Sequence, residues 1–81
     1  MAMRLDHIVS AKSSAYKTGD RVIVVSLNRS WLGTYVNSVL RKFVGHMATV
    51  ADVVPGKRFD VIIQPDGYTS YIMVTADEIK K

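Results

Sequence analysis

The chain has 81 residues, 48% of them apolar and 22% charged, and no cysteine. That length holds one domain with a modest core, the composition is too apolar for intrinsic disorder, and the lack of cysteine excludes a disulfide framework, a thiolate metal site and a cysteine nucleophile. The formal net charge of +4 is uneven: residues 1–45 carry seven basic and two acidic groups and residues 46–81 four basic and five acidic, so an anionic partner is drawn to the first half.

Residues 1–8, anchored only by Met3, Leu5 and Ile8, read as an edge strand or an ordered arm and residues 10–16, with Ser13-Ser14, as a mobile loop, so that 1–16 together form a flexible arm or edge strand. Charges within the first six residues and the absence of a long apolar core do not fit a signal peptide. No run approaches the roughly 18 apolar residues of a membrane span, so a cytoplasmic protein with no membrane partner is expected. Thr18-Gly19-Asp20 makes a turn into residues 21–27, where Val22 and Val24 face one way and Ile23, Val25 and Leu27 the other. Two apolar faces indicate an interior strand.

Asn28 or Ser30 is placed to cap the element that follows. Between Ser30 and Gly45 the apolar residues are Trp31, Leu32, Tyr35, Val36, Val39, Leu40, Phe43 and Val44, pairs repeating every four positions, which predicts a helix over 31–44. Packing of all eight side chains is expected to fix this helix. Gly33 is its weak point, worth up to about 1 kcal/mol against alanine. Arg41 and Lys42 suit the negative end of the helix dipole, and Gly45 is placed for the left-handed residue that closes a helix.

Strand character returns over 46–54, followed by a turn at Pro55-Gly56-Lys57 and a strand over 58–64 with Phe59, Val61 and Ile63 on one face. Pro65-Asp66-Gly67 makes a further turn, and residues 68–74 complete a three-strand meander. Thr75 and Glu78 have capping-box spacing, which predicts one helical turn running through Ile79. The expected architecture is mainly β: a single domain, 1–81, of about five short antiparallel strands with one α-helix inserted after the first strong strand.

Gly19-Asp20-Arg21-Val22-Ile23-Val24, then Gly45-His46-Met47-Ala48-Thr49-Val50, then Val61 to Ile63 and a closing strand with a helical turn resemble the KOW type of Src-homology-like small β-barrel. In that pattern a Gly-x-x-Gly-x-Val segment opens the second strand. Gly45 and Val50 match it, Ala48 stands where a glycine is usual, and the helix occupies the place of a loop. The resemblance spans residues 17–79. It implies a small barrel that binds nucleic acid or protein partners in ribosomal and transcription contexts, without catalysis.

The residues themselves point away from an enzyme. Ser13, Ser30 and Ser70 lie in no Gly-x-Ser-x-Gly, His7 and His46 lack ligand spacing, the five glycines are scattered singly, and Asp52, Asp60 and Asp66 belong to different strands or turns. No catalytic residue, metal or cofactor is expected. Lys17, Arg21, Arg41, Lys42, Lys57 and Arg58 fall at the ends of elements, where they could reach phosphates of DNA or RNA from one rim, and Tyr16 and Tyr68 could stack on bases. The first expectation is therefore a nucleic-acid-binding accessory or regulatory protein. The competing one is a protein-interaction module that regulates a larger machine, docking through the helix with Trp31 and Tyr35 as anchors or through an open strand edge, which could also serve a homodimer.

Overall fold

A computed structural model describes residues 12–81; the arm or edge strand expected at residues 1–8 lies outside them. Five strands, β1 (Arg21–Val24), β2 (Met47–Val53), β3 (Val61–Pro65), β4 (Ile72–Val74) and β5 (Ile79–Lys80), form one sheet in the order β4-β3-β2-β1-β5. Every pairing is antiparallel, and the sheet curls into a half-barrel. One α-helix, α1 (Thr34–Arg41), lies in the β1–β2 connection. The expected mainly β architecture is the one observed.

The core follows from the two-residue period of the strands. Val22 and Val24, Ala48 and Val50, Val61 and Ile63, Val74 and Ile79 point to the concave side and are buried, joined by Leu27 and Phe43 from the β1–β2 connection. The alternation is interrupted once. Val50 pairs with Ile63 but Asp52 with Ile62, so Ala51 is an extra residue, a bulge of the kind that bends a strand and helps a sheet to curl.

Several ends differ from the expectation for local reasons. β1 stops at Val24 because the next two amides, of Val25 and Ser26, both donate to the Glu78 carbonyl, at 2.9 and 3.3 Å. The capping box at Thr75 and Glu78 forms, but the turn it starts ends at Glu78, and Ile79 and Lys80 pair with Val24 and Ile23. Residues 13–15, expected in a mobile loop, form a 3-10 turn in which buried Ser13 donates its hydroxyl to the Asp60 carboxylate at 2.6 Å.

The predicted helix over 31–44 is the largest correction. Ser30–Leu32 is a 3-10 turn, α1 starts afresh at Thr34, and between them Gly33 has φ 98° and ψ 157°, a region that essentially only glycine enters. Asn28 Oδ1 accepts from the Ser30 amide at 3.1 Å and so serves the 3-10 turn. Gly45 has the expected positive φ, 91°, but it lies beyond the end of α1 and its amide donates to the Val24 carbonyl at 2.7 Å. The position of Gly33 reverses the sign of the alanine expectation. No atom lies within 4 Å of where a Cβ would stand, so Gly33→Ala costs backbone strain alone, about 1 to 3 kcal/mol, read as a lower urea midpoint.

Nor do the eight apolar residues pack inward together. Phe43 is buried and Leu40 rests against the core, whereas Trp31, Leu32, Tyr35, Val36, Val39 and Val44 are exposed. The sheet's concave side is already filled by strand residues, Leu27 and Phe43, which leaves α1 beside the core and not over it.

Candidate interaction surface on the helix

α1 is held less by apolar packing than by Arg29. This side chain is buried, with 5% of its surface exposed. Its guanidinium makes a bidentate pair with Glu78, at 2.7 and 2.8 Å, and donates to the carbonyls of Met73 at 3.0 Å and Asn28 at 3.1 Å. Its own amide donates to Asn37 Oδ1 of α1 at 2.6 Å. One residue thereby joins the helix, the end of β4 and the capping-box turn. Burial alone would push the Glu78 carboxyl up, but the Arg29 hydrogen bonds, the Thr75 amide and the charges of Arg29 and Arg58 outweigh it and hold the group below its ordinary range.

Above this clamp lies a layer of rings and cations. The Arg29 guanidinium is 4.2 Å from the centre of the Phe59 ring and 5.5 Å from that of Trp31. The two rings stack at 5.8 Å with 19° between their planes, and the Arg58 guanidinium lies 5.2 Å from Phe59 and 5.5 Å from Trp31. Contacts of this kind at partly exposed sites contribute roughly 0.5 to 1 kcal/mol each. Trp31 is thus held from beneath while 57% of its surface faces solvent.

At 100° per residue, Tyr35, Val36, Val39 and Leu40 share one side of α1, and Thr34, Asn37, Ser38 and Arg41 the other. Asn37 and Leu40 are the partly buried positions, so the helix sits on its 37–40 edge and turns the rest of its apolar side outward. Tyr35, at 81% exposed, is the extreme case. The two anchors expected from sequence, Trp31 and Tyr35, are therefore exposed, as are Leu32, Val36, Val39 and Val44 in the same connection.

The cations divide into two sets. Lys12 pairs with Asp77 at 2.8 Å, Arg21 with Asp66 at 2.6 Å, Arg29 with Glu78, and Lys81 with Asp20 at 3.1 Å. Arg21 also donates to Thr49 Oγ1 at 2.8 Å, so of the proposed phosphate-binding residues it is the one already engaged; its hydrogen bonds hold the Asp66 carboxyl below the usual range. Among the described residues Lys17, Arg41, Lys42, Lys57, Arg58 and Lys80 are outside these direct ion pairs, although the charges of Arg58 and Lys17 still act on Glu78 and Asp20.

These residues meet different neighbours. Lys42 and Tyr68 meet at 5.6 Å, with Phe43 packing edge-on to Tyr68 at 4.9 Å. Arg58 belongs to the Trp31 layer. Tyr16 is half-buried, donates its hydroxyl to the Ile79 carbonyl at 3.3 Å and lies beneath Lys81. It borders an open cleft of about 440 Å³ lined by Lys12, Ala15, Ala76, Lys80 and Lys81, in which Lys12 and Lys81 are the lysines already paired. Lys17 and Lys57 stand exposed in separate turns.

No family model, curated protein or solved structure matches this chain. Its function must be argued from the surface itself. Among the described residues no group of three or more His, Asp or Glu is placed to hold a metal ion, and no helix is long and apolar enough to cross a membrane.

The residue that sequence reasoning missed is Arg29. The capping-box spacing singled out Glu78, but the pair spans 49 positions, and nothing local marks Arg29 as its partner.

Proposed function

We propose that the protein is a non-catalytic protein-interaction module that docks on a larger assembly through the connection containing α1. The observation that carries this reading is the run of exposed apolar side chains from Trp31 to Val44, with Trp31 and Tyr35 foremost. Monomeric proteins seldom leave a continuous apolar surface open, and Trp and Tyr are the side chains most often found at the energetic centre of an interface. The finer assignment to a KOW-type, Src-homology-like barrel is supported by the strand order β4-β3-β2-β1-β5 with a 3-10 turn before the last strand and by the Gly19-Asp20 and Gly45-to-Val50 segments.

Nucleic-acid binding is the second reading, favoured by the six cations outside direct ion pairs and by the closeness of Lys42 to Tyr68. One pair of measurements separates the two. If the protein docks on a protein, capture of its partner from cell extract survives nuclease and is lost in Tyr35→Ala/Val39→Ala, whose circular dichroism matches the parent. A salt-dependent mobility shift with duplex DNA, single-stranded DNA or RNA, together with nuclease-sensitive capture, would replace the first reading by the second.

A further inference from the structure

We infer that the site receiving α1 is an apolar groove rimmed by carboxylates on a different protein, and not on a second copy of this chain. The inference rests on the reading of α1 as a docking surface and adds the chemistry of the partner. Between Arg21 and Ala51 the sequence contains no acidic residue. The exposed apolar run is bracketed by cations: Arg58 lies against Trp31 at its start, and Lys42 follows α1 at its end, the eight residues of the helix spanning about 12 Å, while Arg41 lies on the opposite, polar side of the helix. Neither Arg58 nor Lys42 forms a direct ion pair among the described residues, although the Arg58 charge reaches the Glu78 carboxyl.

A partner that covers the apolar run also strips water from these charges. A neutral or basic rim would leave them unpaired and opposed, whereas carboxylates at either end of the groove answer them and fix the direction in which the helix lies. The described residues do not supply such a rim. Asp20, Asp66, Asp77 and Glu78 are engaged in ion pairs, and Asp60 is buried against Ser13. Only Asp52, among the described acids, is exposed and outside an ion pair. A two-fold dimer through α1 would instead set the same basic ends against each other.

The test places a photoreactive p-benzoylphenylalanine at position 35 of the full chain and maps its adduct in extract of the source cells by mass spectrometry. The expected adduct lies on another protein, in an apolar segment with two or more Asp or Glu within about eight residues. Its yield falls five- to tenfold in Lys42→Gln/Arg58→Gln but not in Lys17→Gln/Lys57→Gln, with circular dichroism unchanged in both. An adduct on an acid-poor segment, on a second copy or on residues 1–11 of the same chain would overturn the inference and leave α1 as a docking surface. An adduct on nucleic acid, or no adduct at all, would remove both.

Discussion

Replacing Arg29 with alanine is expected to lower the unfolding free energy by about 3 kcal/mol, which for a domain of this size lowers Tm by at least about 12 °C. The loss does not come from the ion pair as an isolated bond. Arg29 and Glu78 are 6% and 14% exposed in their side chains, and truncation strands a shielded carboxylate together with the Met73 carbonyl. Two controls separate stranding from attraction. Arg29→Met/Glu78→Leu, which removes both charges while keeping bulk, should recover most of the loss, and Glu78→Gln should cost less than Arg29→Ala because it retains an acceptor.

The same pair sets a pH dependence whose sign is fixed. The folded-state pKa of Glu78 is depressed, so its contribution is fully present above the ordinary value of 4.5 and is lost as pH falls through the lower folded value. Denaturant titrations between pH 3 and 7 should show a shallower acid-side decline in Arg29→Ala than in the parent. An equal slope in both would mean that other carboxyls carry the acid sensitivity. The bond to the Asn37 side chain is donated by the Arg29 backbone N–H and survives the substitution, so the helical dichroism of α1 should persist.

Ile63→Ala is expected to cost about 3 to 4 kcal/mol, the second large effect. Ile63 is fully buried at the middle of the sheet, opposite Val50 on one side and Ile72 on the other, and the neighbouring strands cannot collapse into the space it leaves. Val39→Ala and Tyr35→Ala, although they remove side chains that are equally apolar or larger, should each change stability by less than about 0.5 kcal/mol. Urea unfolding of the three variants gives a direct contrast. A loss of 2 kcal/mol or more in Tyr35→Ala would mean that the helix face is covered within the chain, and the docking argument would fall with it.

That contrast marks where the sequence was legible and where it was not. Strand alternation at Val61/Ile63 reports which face is buried because a curled sheet has one concave side to fill, whereas over 21–27 both faces read as apolar and only the fold shows that Val22 and Val24 are the buried pair. The four-residue spacing of 31–44 reports only that a helix has an apolar side. Whether anything covers that side depends on how much of the core the strands already occupy, which no local pattern contains. Gly33 looked like a tolerated weak point because composition carries no φ. β5, with two residues, is too short for any periodicity. On the surface, Trp31 and Tyr35 could be picked out as anchors, but the cations at element ends could not be sorted, since Arg21 is engaged by Asp66, 45 positions away. The strands thus follow from near-neighbour pattern, and the charge pairing from contacts made only in the folded chain.

β5 has a consequence for how this molecule assembles and fails. It is joined to β1 by only two register pairs, Ile23 with Lys80 and Val24 with Ile79, and it reaches β1 from more than fifty residues away, so its docking carries a long loop-closure cost and should come late in folding. Until it docks, or whenever it peels away, the β1 backbone is an open edge at Ile23 and Val24, a template for a strand from a neighbouring molecule. Among the strand amides, exchange should therefore be fastest along this seam, and deleting or crowding Ile79–Lys81 should increase strand exchange and aggregation.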